Sequence, residues 1–396
     1  MNPVTLTLAF GNFVIATGAL IVTGMLPALA EGLNAPITKT AYLITAFALA
    51  VCFSAPFLAA VTARFERRAL LTVVMLFYAL THVAAALVSS LDAMIFVRIL
   101  CGVASALYTP QAAATIALLM PPERRASSIA AVFMGWAVAS VVGMPLGAYI
   151  GAEVGWRAGY MLVAVSSLLS ALALYRVLPA GLKTQVAGLE MWRQLLGNAP
   201  LMLAIFFTAV QASGQFVAFG FMVPAFRAMV DATPGQVSFL LAVFGGTGVV
   251  GSLIAGKVSD RLGASKVLIV TTCLVLLGMA LWPMGQHSWP WLLTTLALWG
   301  LGGFAMNSTQ QGRLANMAPG LTPVSIALNT SCMYLGQALG TPIGAAVLES
   351  RTGSSGYQWL GWFGVPFMAA AIALSLFVDR LVQRRSTAAN TTSSLP

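Results

Sequence analysis

Charge is what this chain has least of. Only 8% of its 396 residues are Asp, Glu, Lys or Arg, where a soluble domain carries roughly a quarter. A soluble fold has no means of hiding 59% hydrophobic residues, so the mean hydropathy of +0.90 names lipid as the solvent. Acid is scarcer still. The ten carboxylates (Glu31, Glu66, Asp92, Glu123, Glu153, Glu190, Asp231, Asp260, Glu349 and Asp379) all fall in loops or near the ends of apolar runs. A mid-membrane carboxylate of raised pKa, the usual carrier of a coupling proton, is therefore missing. Of the two histidines, His82 lies inside an apolar run and reads first as a packing residue. The four cysteines, Cys52, Cys101, Cys273 and Cys332, also sit in apolar runs without a CxxC pair. That excludes a disulfide framework or zinc site and leaves small packing residues. No HExxH, GxSxG or phosphate-binding loop occurs. The string GTGVVG (246–251) has the dinucleotide spacing but follows no strand, so it reads as helix packing. An enzyme would need His, Ser or carboxylates gathered at one depth. The expectation is no enzyme, no cofactor and no metal site.

What is present is a series of apolar runs. A helix needs about 20 apolar residues to cross the hydrocarbon, and helices alone satisfy an open segment's backbone in lipid. Breaks at charge, Pro and Gly divide the chain into twelve spans, from 5–29 and 39–61 through to 323–348 and 358–379. An even number puts both termini on one side. With that side cytoplasmic, fifteen Lys/Arg lie inside, four outside and Arg98 within a span, as the positive-inside rule asks. The net charge of +10 then reflects topology and not a nucleic-acid partner. The lipid bilayer is the surrounding.

A shift of 197 residues superimposes one half on the other: Pro27 falls on Pro224, Gly143 on Gly340, Pro145 on Pro342 and Gly147 on Gly344. Six spans separate the halves, so they run parallel, an architecture of transporters with a site between repeats. The fold class expected is an all-α membrane protein of twelve transmembrane helices in two parallel six-helix repeats. Its divisions are an N-terminal bundle (1–179), a cytoplasmic linker (180–199) with a short helix near 189–196, a C-terminal bundle (200–380) and a disordered cytoplasmic tail (381–396). Span 5 carries Gly143, Gly147 and Gly151, and span 11 carries Gly336, Gly340 and Gly344. A glycine every fourth residue lines one face and lets backbones approach. Static packing is one reading; faces that meet across the halves and slide is the other.

The loop GKVSDRLGASK (256–266), through Gly256, Asp260, Arg261, Gly263 and Lys266, resembles the Gly-x-x-x-Asp-Arg-x-Gly signature of the major facilitator superfamily, and further motifs extend the resemblance over nearly the whole chain. The first copy keeps Arg64, Arg67 and Arg68 but has Ala59, Ala63 and Glu66 where the family has Gly, Asp and Gly. An Asp at the end of one helix can pair with Arg or with a neighbouring helix N-terminus. A latch is thus expected at Asp260 and put in doubt in the first half. RILCG (98–102) resembles the family's Arg-containing span 4 motif through Arg98 and Gly102. GWAVASVVGMPLG (135–147) partly resembles the exporters' antiporter motif, carried by Gly135, Gly143, Pro145 and Gly147. Gly155-Trp156-Arg157 and TGALIVTGMLPALA (17–30) resemble the sugar- and purine-efflux branch of the twelve-span drug:proton antiporters. The resemblance implies a monomeric inner-membrane exporter of a small-molecule substrate, with proton exchange, although Ala19 stands where many such antiporters carry an acid.

A cavity between the halves would be lined by polar and aromatic residues inside spans. The candidates are Asn12, Tyr42, Arg98, Tyr108, Gln111, Gln211, Gln215, Phe219, Asn307, Gln310, Asn329 and Tyr334, with Gln311 beside them. Amides and hydroxyls orient neutral polar groups, and aromatics hold apolar bodies. Without a carboxylate, such a cavity does not suit strongly cationic cargo. Each of these residues has interhelical hydrogen bonding as its plain alternative. The function expected is export of small neutral or amphipathic molecules (drugs, sugars or nucleosides) by alternating access. A metabolite importer or facilitator on the same fold, or a non-transporting receptor, is the alternative.

Overall fold

The computed structural model describes residues 2–62, 64–183, 189–351 and 355–393. Twelve spanning rods appear in the order expected. Spans 1 to 4 are the helices Pro3–Gly32, Tyr42–Thr62, Arg67–Leu87 and Leu91–Leu119. Span 5 is composite: Pro122–Val138, a π-helical turn Ala139–Gly143, Met144–Ile150 and a second π turn Gly151–Gly155. Span 6 is Trp156–Val177. Span 7 is Ala199–Phe219 continued by Met222–Val230. Spans 8 to 12 are Pro234–Leu262, Ala264–Leu281, Trp289–Met317, Thr322–Ser350 and Ser355–Ser393. The internal repeat is visible in the boundaries: span 3 opens at Arg67 and span 9 at Ala264, the same 197-residue offset.

By length and composition, nine described segments are apolar enough to cross a membrane, and one of these, Ser127–Val177, holds spans 5 and 6. Spans 10 and 11 are the two that fall short. Each is a 29-residue helix, long enough at 1.5 Å per residue. Their hydropathy is lowered by Asn307, Ser308, Thr309, Gln310 and Gln311 in one and Asn329, Thr330, Ser331 and Gln337 in the other. Helices that spend apolar positions on amides and hydroxyls belong inside a bundle, where those groups find partners.

Local chemistry sets the ends. Ser90 and Thr233 cap spans 4 and 8, the latter with a full capping box to Gln236. Gly155 turns the chain from span 5 into span 6 at φ 113°, a conformation that disfavours any Cβ. In span 5, Pro145 offers no N–H to the preceding turn, and the ladder widens just before it into the π turn Ala139–Gly143.

Of the two readings of the glycine faces, the contacts fit packing within each half. A Cβ on Gly143, Gly147 or Gly151 would strike Thr17, Ile21 or Met25 of span 1. One on Gly336, Gly340 or Gly344 would strike the carbonyls of Ala209, Ser213 or Val217 of span 7. Each stripe therefore seals a pair inside its own half. Four-residue spacing defines a face but does not say which neighbour it meets.

Span 12's helix continues to Ser393, into the stretch 381–396 read from composition as a tail; residues 394–396 lie outside the described chain. A helix already nucleated propagates at one hydrogen bond per added residue. In the linker, the short helix is Leu189–Gly197. Its Leu195, Met191 and Trp192 pack with Leu201, Ile205 and Leu314 of the second half. Residues 184–188 lie outside the described chain.

Candidate functional site between the two halves

The halves meet along two seams. In the first, span 2 runs antiparallel to span 11, and the Phe47 and Tyr334 rings cross edge to face at 6.2 Å. Ile44 approaches Gly220 of span 7 and, through it, Thr341. In the second, span 8 lies on span 5. Gly245 allows the backbones to touch, since a Cβ there would lie 2.4 Å from the Ser140 carbonyl oxygen. The Ser238 hydroxyl lies 3.0 Å from the Pro145 carbonyl and equally 3.0 Å from Pro234 in its own helix. These contacts involve the middle of the bundle and the end opposite the termini.

Gln211, Gln215 and Phe219 are brought into one cluster on span 7. The Gln215 amide donates to Gln211 at 2.6 Å, and Trp299 of span 10 donates its indole N–H to Gln215 at 2.8 Å. An aromatic ladder continues the wall: Phe216–Phe219 at 5.0 Å, then Phe219–Phe244 and Phe244–Trp299 both at 5.7 Å. Asn329 accepts from Thr208 at 2.6 Å. Gln310 donates to the Ala204 carbonyl and keeps its oxygen unpartnered. Asn307 is half-buried, its amide 3.5 Å from the Met333 sulfur.

In the first half, Asn12 donates to the Val132 carbonyl at 3.0 Å and accepts from Thr109 at 2.8 Å, so it ties span 1 to spans 5 and 4. Thr109 also accepts from the Trp136 indole at 3.4 Å. The Tyr108 hydroxyl reaches the Leu8 carbonyl at 3.4 Å. Arg98 is 1% exposed. It donates to the Gly18 carbonyl at 3.0 Å and lies 4.5 Å from the Phe47 ring centre. The repeat explains a pairing that neither half reveals alone: Gly18 and Gln215 are 197 residues apart, and each accepts from the fourth span of its half, Arg98 or Trp299.

Two candidates stand away from the middle of the bundle. Tyr42 opens span 2 and is 43% exposed at the end away from the termini. Gln111 works at the opposite end, accepting from Arg67 and donating to Thr62 at 3.2 Å. The signature residues divide likewise. Arg67 is buried, and its backbone N–H donates to the linker carbonyl of Leu182 at 2.9 Å. Glu66 accepts from Ala69 at 2.8 Å and from Gly181 of the linker at 3.2 Å. Arg68 faces the Tyr175 ring at 5.2 Å, and Arg64 the neighbouring Phe65 ring, also at 5.2 Å.

Among the described residues, the side chains of Asp260, Arg261 and Lys266 form no hydrogen bond or ion pair in this state. Gly256, Asp260, Arg261, Gly263 and Lys266 are exposed. The ion pair at that end is instead Arg313–Asp379, 2.8 Å, between spans 10 and 12, with Ser265 of span 9 donating to the same carboxylate oxygen at 2.9 Å. Neither residue was singled out from sequence, where both counted only as loop or span-end charges. Trp299 and Ser238 were also missed; the first reads as a packing aromatic and the second as an ordinary helix serine.

The fold is a two-fold repeat of parallel six-helix bundles, an architecture of transporters, with an uncharged cluster of amide and aromatic side chains inside the second half. The chain belongs to the major facilitator superfamily, whose family description matches residues 8–232 and again 228–394. It is 27% identical to the uncharacterized MFS-type transporter YtbD of Bacillus subtilis, covering 97% of this chain and 96% of that one. It is 29% identical to a chloramphenicol resistance protein of Streptomyces lividans, covering 89% and 91%. With the inner membrane transport protein YdhP of Escherichia coli the identity is 26%, over 94% of each chain. Among solved structures, the nucleoside transporter NupG has a TM-score of 0.75 at 14% identity, covering 96% of this chain and 99% of that one. The D-xylose-proton symporter also has a TM-score of 0.75, at 16% identity, covering 94% and 96%. At such identities, the solved structures speak for the fold.

Proposed function

We propose that this transporter exports small neutral or amphipathic molecules across a bacterial inner membrane by alternating access, as a monomer with both termini in the cytoplasm. The observation that carries this reading is the Gln211–Gln215–Trp299 wall with its aromatic ladder. Gln215 and Phe216 are its half-buried members, while Gln211, Phe219, Phe244 and Trp299 are buried; the cluster sets amide groups beside aromatic rings with no formal charge, which suits a neutral polar group on an apolar body. The names of two relatives, a chloramphenicol resistance protein and an inner membrane transport protein, support the direction and the membrane. The Lys/Arg bias supports the orientation. The halves touch at the end away from the termini, so the state described is one sealed toward the outside.

The signature residues (Arg64, Arg67 and Arg68; Gly256, Asp260, Arg261, Gly263 and Lys266) then act at the cytoplasmic ends, and Gly135, Gly143, Pro145 and Gly147 seat span 5 against span 1. Exchange for protons lacks a carrier. Every carboxylate whose side chain is described is exposed or only half-buried. That favours, as a second reading, a facilitator on the same fold.

Proteoliposome flux separates the two. With an imposed pH gradient and a panel of neutral and cationic drugs, pentoses and nucleosides, export by exchange gives gradient-dependent uptake of at least one neutral or amphipathic member. A facilitator gives flux indifferent to the gradient. Uptake confined to strongly cationic compounds would overturn the proposed cargo class.

The outer seal gives its own prediction. Ser238→Ala removes the bond to Pro145, worth about 1 kcal/mol. The population open at the far end should rise about fivefold, measured as spin-label distances between the outer ends of spans 5 and 8. An unchanged distance distribution would remove Ser238 from the seal.

A further inference from the structure

Arg98 is a buried cation without a counter-ion. It lies seven residues into span 4, about 10 Å along the helix. Among the described residues no carboxylate pairs with it; the ion pair they form is Arg313–Asp379. Its compensation is neutral, from the Gly18 carbonyl, the Cys101 sulfur and the face of Phe47, and its Nε–H has no acceptor. A guanidinium carries five donors, and an unpaired charge away from water is costly. The neighbourhood is under-satisfied in other atoms too. The Tyr160 hydroxyl and His82 Nε2 are buried without partners. The rings of His82 and Tyr160 are 5.9 Å apart, and those of Tyr78 and His82 4.2 Å. His82 Nδ1 is 2.8 Å from the Tyr78 carbonyl, which makes it the donor there and leaves Nε2 as a free lone pair. A Cβ on Gly18 would lie 2.3 Å from the Tyr78 hydroxyl and 2.7 Å from His82 Nε2. Gly18 is thus the point where Arg98, Tyr78 and His82 converge.

We propose that Arg98, with the Tyr160 hydroxyl, binds a small anionic group, a carboxylate or a halide, in the first half of the protein. Two of the three unpartnered atoms are donors that an anion accepts from; the third, His82 Nε2, accepts from a water or hydroxyl accompanying it. Access is governed by the seam. Phe47 covers the guanidinium on one side and crosses Tyr334 of the other half. When spans 2 and 11 part, Phe47 loses that support and the cation opens to the cleft. The proposal rests on spans 1, 2, 3, 4 and 6 and does not depend on the direction or cargo of transport.

The test is thermal unfolding of the purified full-length protein in detergent at fixed ionic strength, with the bulky sulfonate HEPES as the balancing anion. Chloride, bromide or acetate is titrated in. The wild type should gain a saturable rise in Tm of several degrees, as ligand linkage requires. Arg98→Gln should abolish the rise, and Tyr160→Phe should move its midpoint to several-fold higher concentration. A response to halide and acetate alike, or to one of them, supports the site and names its occupant. If Arg98→Gln does not fold, Tyr160→Phe decides, together with diffraction from wild-type crystals grown in bromide. An anomalous peak within about 4 Å of the guanidinium, ordinary ion-pair range, supports the proposal. No saturable rise in the wild type, an equal rise in Arg98→Gln, or bromide crystals without that peak would overturn it.

Discussion

Asp379→Asn should lower the melting temperature markedly, because it strands a buried guanidinium. Arg313 is 3% exposed and Asp379 26%. The guanidinium also donates to the Ser375 hydroxyl at 3.1 Å and the Ser375 carbonyl at 3.3 Å. Removing one partner of a buried pair leaves the other charge uncompensated, at about 3–5 kcal/mol. Because the carboxylate is partly wet, the loss here should be about 2–3 kcal/mol. The double variant Arg313→Met/Asp379→Leu is the sharper measurement. Exchanging both ions for packed apolar groups is often neutral, so it should regain most of the stability the single variant loses. Thermal melts of the three proteins decide the matter. A single variant as stable as wild type, or a double variant as poor as the single, would mean that the pair does not hold spans 9, 10 and 12 together.

Gly340→Ala should be nearly as damaging by a different route. Its Cβ would stand 2.1 Å from the Ser213 carbonyl oxygen, and the neighbouring Gly344 has the same clearance to Val217. The obstacle is backbone, so no side chain can swing away, and spans 7 and 11 must separate along their length. Overpacking typically costs 1–3 kcal/mol, and the upper part of that range applies where the backbone itself must move. The control is Gly246→Ala, in span 8, where a Cβ meets nothing within 4 Å; it should be neutral or slightly stabilising. Matched losses of stability in the two variants would show that glycine flexibility matters there and not the close approach.

Much of the architecture is legible in the sequence because lipid makes it one-dimensional. Span length, breaks and the Lys/Arg bias depend on composition along the chain, and the offset that carries Pro145 to Pro342 needs no geometry. Rotation about each helix axis is another matter. Nothing in the spacing of Gly143, Gly147 and Gly151 says that they face Thr17, Ile21 and Met25 and not the other half. The candidate wall was partly visible: Gln211, Gln215 and Phe219 stand out as polar or aromatic residues in an apolar run. Trp299 did not, because in lipid an indole is ordinary; only its bond to Gln215 marks it. Arg313 and Asp379 were hidden by their position. Near a helix end a charge satisfies the topology rule whether or not it is paired, so the tally absorbed both. At Asp260 the motif is intact while the side chain is exposed in this state, so the spacing alone does not say what it meets when the halves move.

The Ser238 hydroxyl has a further consequence. It sits at equal distance from a carbonyl across the seam and from one in its own helix. When the halves part, the proton keeps an acceptor, because Pro234 moves with it. Most polar contacts broken inside a membrane strand a donor where no water can reach it. This one does not, so the separation costs only the contact itself. At this contact the parted arrangement therefore carries no stranded donor, and a ligand that favours it has only the bond itself, about 1 kcal/mol, to offset there.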